Sequence, residues 1–152
     1  MIWWRVCKRR WAKSAFTGLG AAENPGRWNS HGIRAVYCSD SLALAALEGL
    51  VHVEDWSLLA DAHFVAIEVE VPDELLHIPS RLPANWNRVP ISAASREFGD
   101  RFLAGRAAPA MRIPTAVVES GFNLVLNPLH PDFHRIRPGR PRPFRFDRRL
   151  TQ

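Results

Sequence analysis

The chain has 152 residues, 47% of them hydrophobic, enough for one domain with one sizeable core and too apolar for a disordered segment. Its net charge of +5 belongs to the ends: residues 1–13 hold five basic residues and no acid, and residues 135–152 hold seven arginines against Asp147 alone. Residues 14–134 carry eight arginines and fourteen carboxylates, a net acidic middle that argues against a nucleic-acid binder using its whole folded surface.

The opening string Met-Ile-Trp-Trp-Arg-Val-Cys-Lys-Arg-Arg interrupts and follows its apolar residues with charge, unlike a secretory signal. No apolar run reaches the length of about 18 residues that a membrane span needs. A soluble, cytoplasmic protein is expected. Residues 1–7 combine tryptophan with β-formers and read as a first strand. Cys7 and Cys38 form no CxxC pair, so they are expected to be reduced thiols and not zinc ligands or a disulfide. Residues 17–32, with four glycines and Pro25, read as loop, without the spacing of a standard phosphate loop. A short strand over 34–39 follows. Asp40 and Ser41 are N-cap candidates for a helix over 42–53, apolar on nearly every side and so expected to be largely buried.

Residues 64–71 alternate, with Val65, Ile67, Val69 and Val71 on one face and Ala66, Glu68 and Glu70 on the other, as in a half-buried strand closed by Pro72. Residues 78–90, with three prolines, read as an irregular connection. A helix over 92–103 follows, then strands over 113–118 and 123–126 around a turn at Gly121. Beyond His134 the chain is rich in arginine and proline, shows neither helical nor strand period, and is expected to be an extended arm. Strands and helices mix without regular βαβ alternation, which predicts a single α+β domain: a catalytic core over 1–134, with 135–152 as an arm of the same domain.

Three residues stand out for chemistry. Glu48 sits mid-helix between Leu44 and Ala45 on one turn and Val51 and His52 on the next. Burying such a carboxylate costs several kcal/mol, roughly, unless it is paired or functional; a solvent-facing stripe or an arginine partner would also explain it. Arg27, in the loop Gly26-Arg27-Trp28-Asn29, suits a bidentate grip on phosphate or a stack on Trp28. Tyr37, the one tyrosine of the chain, fits either a ligand-packing ring or a buried residue with a satisfied hydroxyl. Among the six histidines, His130 and His134 are four apart, but Pro131 between them rules out a regular helical ligand pair. No metal is expected.

Taken together, the strings Gly26-Arg27-Trp28-Asn29, Ala35-Val36-Tyr37-Cys38-Ser39 and Ala43 to His52 resemble the RES domain family. The resemblance continues through 98–103 and 112–118 to Asn123-Leu124-Val125-Leu126-Asn127-Pro128 and His130-Pro131-Asp132-Phe133, in order and over nearly the whole chain. It implies an α+β domain of mixed or antiparallel sheets with flanking helices, similar to ADP-ribosyltransferases. The implied activity is that of a bacterial toxin that cleaves the nicotinamide–ribose bond of NAD by hydrolysis or phosphorolysis. The alternative is a mono-ADP-ribosyltransferase acting on a cellular protein. By matching position the family's Arg, Tyr and Glu are Arg27, Tyr37 and Glu48. The family serine falls on Thr115, eight residues before Asn123, whereas Ser120 lies five residues off register. Trp28 and Asn29 are further candidates for contact with NAD.

The implied partners are NAD as substrate and an Xre-type antitoxin covering the active site, with DNA contacted only through that antitoxin and a homodimer within the complex. No membrane partner is expected. A rival from another class is a nucleic-acid-binding protein using the C-terminal arginines, whose affinity would fall steeply with salt.

Overall fold

The structure is a computed structural model that describes residues 1–57, 59 and 63–151. Eight strands are hydrogen-bonded into one sheet: β1 (Ile2–Lys8), β2 (Val36–Ser39), β3 (Phe64–Glu70), β4 (Leu76–His77), β5 (Ala110–Pro114), β6 (Phe122–Leu126), β7 (Arg137–Pro138) and β8 (Arg142–Phe144). Among the described residues three α-helices flank it: α1 (Leu19–Glu23), α2 (Leu42–Leu50) and α3 (Ala93–Gly105). The spatial order is β4-β5-β6-β2-β1-β3-β7, with β8 also on β3. Every pairing is antiparallel except β4–β5. The expected α+β class with a mixed sheet is the class the chain adopts.

Two apolar clusters lie on the sheet. Trp3, Val36, Cys38, Val65, Ile67, Val69, Leu124 and Leu126 belong to one. Trp28, Met111, Ile113 and Val125 belong to the other, with Leu103 and the partly buried Phe98 of α3. The alternation read in 64–71 is the reason: Val65, Ile67, Val69 and Val71 are all at most 4% exposed. Gly99 lets α3 approach closely, since a Cβ there would stand 1.8 Å from the Trp28 carbonyl oxygen.

The join between β1 and β2 positions the site. β1 and β3 are zipped by seven registered pairs, from Ile2↔Glu70 to Lys8↔Phe64. β1 and β2 share a single pair, Trp4↔Ser39. Beyond it the Arg5 Nη1 donates to the Tyr37 carbonyl at 2.9 Å, so a side chain serves where the ladder lapses.

Four sequence expectations need correction. The stretch 17–32 contains the short helix α1, begun where Gly18 takes φ 76°, a conformation open to glycine, and closed by Ala22 N–H to the Gly18 carbonyl. Helix α2 stops at Leu50 and is not buried all round: Leu44, Ala45 and Leu50 are covered, while Leu47 and the following Val51 are 39% and 56% exposed. Apolar residues outnumber the surface available to cover them. The expected strand over 113–118 is moved back to Ala110–Pro114, because at Thr115 the chain turns, its N–H donating to the Gly121 carbonyl at 3.0 Å. The C-terminal arm is not free of sheet structure, for β7 and β8 both pair with β3. Backbone pairing at an edge asks no side-chain period and tolerates Pro138 and Pro143.

No helix among the described residues is long and apolar enough to cross a membrane.

Candidate active site

Helix α2 begins as its N-cap predicts, the Ser41 hydroxyl accepting from Leu44 N–H at 3.1 Å. It packs against β1 and β2 and carries Glu48, half-buried, over the place where those strands meet. Glu48 Oε1 accepts from the Thr115 hydroxyl and from Asn123 Nδ2, each at 2.5 Å. Asn123 is fixed in turn, its Oδ1 accepting from the Ser39 hydroxyl at 2.8 Å. Register explains this last contact: Ser39 and Asn123 are directly opposed on β2 and β6, so their side chains share a face. Thr115 follows the last residue of β5, and its hydroxyl also accepts from Val117 N–H at 3.1 Å. Ser39, Thr115 and Asn123 are all at most 9% exposed. Glu48 Oε2 has no protein partner among the described residues. The network thus holds one carboxylate oxygen and leaves the other to a ligand.

The carboxylate stands on the wall of a cleft of about 960 Å³, which Arg5, Arg27, Tyr37, Glu48, His52 and Asn123 help to line. That volume is at the upper end of the range of roughly 300–1,000 Å³ for ligand pockets. Arg27 is anchored by Nη1, which donates to the Trp86 carbonyl at 2.9 Å and the Arg88 carbonyl at 2.8 Å, both in the connection after β4. Its Nε and Nη2 have no protein partner among the described residues. Burial lowers the Arg27 pKa, partly offset by the attraction of Glu48, so the two charges feel each other across the cleft.

Tyr37 helps to line the cleft, and its hydroxyl is used inside the protein. The hydroxyl donates to Asn29 Oδ1 at 2.7 Å and accepts from Trp28 N–H at 3.2 Å. Burial pushes its pKa above the ordinary phenol value. Gly26 is needed here, because a Cβ would lie 2.8 Å from that hydroxyl.

Trp28 and Asn29 are placed differently from one another. Trp28 is 2% exposed, stacked on Trp86 at 5.9 Å and edge-on to Phe98, and only its margin reaches the cleft. Asn29 is fully buried behind Tyr37 and does not line the cleft. Its Oδ1 accepts from Gly26 N–H and Tyr37, and its Nδ2 donates to the carbonyls of Ala21, Ser30 and Ile33, so it knots the loop that carries Arg27. Ser120 is exposed, at φ 64°, and makes no bond to Glu48.

His130 and His134 are occupied by the backbone: His130 Nδ1 accepts from Asp132 N–H, its Nε2 lies 2.9 Å from the Arg106 carbonyl, and His134 Nδ1 lies 2.8 Å from that of Pro131. Among the described residues there is no group of three or more His, Cys, Asp or Glu that could hold a metal.

Sequence reasoning missed three residues of the site. Ser39 and Asn123 were read as strand ends, and nothing local reveals that they face each other. Arg5 was read as part of a strand and of the basic N-terminus. It lies at the parting of β1 and β2, lines the cleft, and has a buried Nε with no acceptor among the described residues. A charge set within Ile-Trp-Trp-Arg-Val-Cys was its one sequence signal.

Several known proteins are similar. A protein named Toxin Res from Yersinia enterocolitica serotype O:8 / biotype 1B is 36% identical over 151 residues, covering 99% of both chains. A Prs ADP-ribosylating toxin from Sphingobium sp. (strain YBL2) is 33% identical over 156 residues, covering 98% of this chain and 96% of the relative. The crystal structure of the M. tuberculosis MbcT–MbcA toxin–antitoxin complex contains a chain of similar fold, with a TM-score of 0.70 at 15% identity, over 95% of this chain and 84% of that one. The family model for the RES domain matches residues 2–147. With relatives this similar over nearly their full length, the chain belongs to the RES domain family.

Proposed function

We propose that the cleft binds NAD and that the protein is the toxin of a bacterial toxin–antitoxin pair, cleaving the bond between nicotinamide and ribose. The observation that carries this reading is the Glu48 carboxylate, held on one oxygen by Thr115 and Asn123 in a cleft that also holds Arg27 and Arg5. As neutral nicotinamide leaves, positive charge develops on the ribose, and a fixed carboxylate stabilises it without reorganising. Oε2 is the oxygen available for that task, or for orienting the incoming nucleophile. The Arg27 head, anchored at Nη1, offers Nε and Nη2 to the pyrophosphate. Tyr37 acts through its ring against the nicotinamide end, since its hydroxyl is spent on Asn29 and Trp28. Thr115 takes the place of the family serine as a positioning residue, and Asn29 supports the Arg27 loop from behind.

Hydrolysis or phosphorolysis is the first reading. Transfer of ADP-ribose to a protein is the second, and the name of the Sphingobium relative favours it. The C-terminal arginines have less basis as a nucleic-acid arm, because the arm's backbone pairs with β3 and Arg142 faces Glu68 at 3.3 Å. We take 1–134 as the catalytic core and 135–152 as the segment completing its sheet, acting in the cytoplasm. Val51 on the cleft wall is exposed, as are Leu47 one turn before it and Trp56, and such uncovered apolar side chains suit a protein partner such as an Xre-type antitoxin.

The test incubates the pure protein with NAD, with and without phosphate, and identifies each product by mass. Free ADP-ribose, its phosphorylated form and a modified protein separate the three reactions. Glu48→Gln should stay folded and bind NAD while losing nicotinamide release by a factor of about 100 or more; undiminished release removes Glu48 from the chemistry.

A further inference from the structure

We propose that the outer end of the cleft, where Trp11 stands with Lys8 and Arg10, is the subsite for the adenosine half of the dinucleotide; this rests on the reading of the cleft as an NAD site. β1 runs from Trp4, paired with Ser39 beside the Glu48 network, to Lys8, and the next turn, Arg9–Ser14, carries Trp11. Four residues of extended chain separate Trp4 from Lys8 by about 13 Å. Trp4, Lys8 and Trp11 line the same cleft as Glu48. A dinucleotide with its nicotinamide ribose at Glu48, lying open along β1, brings its second base to this end.

The chemistry at that end fits a purine nucleotide. Trp11 is 52% exposed, whereas Trp3 and Trp28 are at most 2% exposed, so a large aromatic surface is left uncovered at the mouth of the cleft. The Arg10 guanidinium lies over its ring at 4.6 Å and Lys8 Nζ at 5.6 Å. Neither cation pairs with a carboxylate among the described residues. A neighbouring cavity of about 450 Å³ shares Lys8 with the cleft and adds Arg9, Arg10 and His63, so phosphate on this side meets cationic walls. An indole beside two such cations can stack a base and neutralise its phosphate. The cleft lining also includes Glu54 and Asp55. Those carboxylates repel a continuous phosphate backbone but can accept from the exocyclic amine of adenine. One nucleotide unit therefore suits the site better than a nucleic-acid strand.

The test compares wild type, W11F and W11A in two measurements. In the first, nicotinamide release is followed from NAD and from nicotinamide mononucleotide, which lacks the adenosine half. W11A should lower kcat/KM for NAD about tenfold or more relative to the mononucleotide, through KM, and W11F should restore most of it. In the second, calorimetry measures ADP-ribose binding, which needs no bond cleavage. Weakened binding by W11A, with binding retained by W11F, supports the subsite even if no nicotinamide is released, and then the cleavage reading falls alone. Wild-type NAD release with ADP-ribose binding unchanged in W11A overturns the subsite and leaves the cleavage reading standing. Equal loss on both substrates by W11A also overturns it, as does wild-type protein that does not bind ADP-ribose.

Discussion

Asn123 uses both ends of its amide at once: Nδ2 donates to Glu48 and Oδ1 accepts from Ser39. Asn123→Asp keeps the size and removes the donor, placing a second carboxylate against Glu48. Two carboxylates at that distance repel one another and draw Glu48 away from the position its donors hold. The kcat for nicotinamide release at neutral pH should therefore fall about tenfold or more, and an unchanged kcat would free Asn123 from this role. Thr115 gives the milder companion test. Thr115→Ala removes one of two donors to Oε1, a loss of about tenfold in kcat, and Thr115→Ser should recover it. At this scale Glu48, Arg27 and Tyr37 were legible because each sits in a short, continuous string. Ser39, Asn123 and Arg5 were not, because their roles depend on strand register and on the gap between β1 and β2, set by contacts far away in sequence.

At the scale of elements, β2 is the strand on which several constraints meet. Between β6 and β1 in the sheet, it carries Tyr37 and Cys38, whose neutral forms are favoured by burial. Cys38 is pushed up to about 12 from the ordinary thiol value of 9.0. Both groups hold their protons more tightly folded than unfolded, so their contribution is fully present below the unfolded values and is lost as pH rises through the folded ones. Urea midpoints should thus fall between about pH 9 and 12, and Cys38→Ala should flatten part of that fall. A midpoint insensitive to pH in this window would contradict the burial of both groups. The cap at Ser41, the alternation of β3 and the start of α3 at Ser92 were readable from local chemistry. α1, β7 and β8 were not: the first is a single turn after a glycine, and the others pair with β3 without a side-chain period of their own.

At the scale of the whole molecule, the split of charge has a structural meaning for one half of it. The basic C-terminal segment closes the β3 edge, and Phe146 stands edge-on to Phe64 and Phe144 at 5.1 and 5.0 Å. Its ion pair Arg142–Glu68 is solvent-exposed and contributes under about 1 kcal/mol. Arg142→Ala should therefore shift denaturant stability by less than about 1 kcal/mol. Removing 139–152 should cost several times as much and leave β3 open to edge-to-edge association, read as a lower melting temperature and larger species in light scattering. Equal effects from the two changes would mean that the arm acts through charge and not through the sheet. The sequence disclosed the arm's composition but not its destination, since an edge strand needs only a free row of backbone groups.

The Glu48 network also bears on the order in which a ribosome delivers the chain. Glu48 is made early, but its two donors lie 67 and 75 residues later, and β6, which carries Asn123, fills the middle of the sheet. A nascent chain that has not released β6 has a carboxylate without its supports and a cleft missing one wall. The site is therefore assembled only once the chain through β6 has emerged, and no shorter nascent chain holds Glu48 on both of its donors.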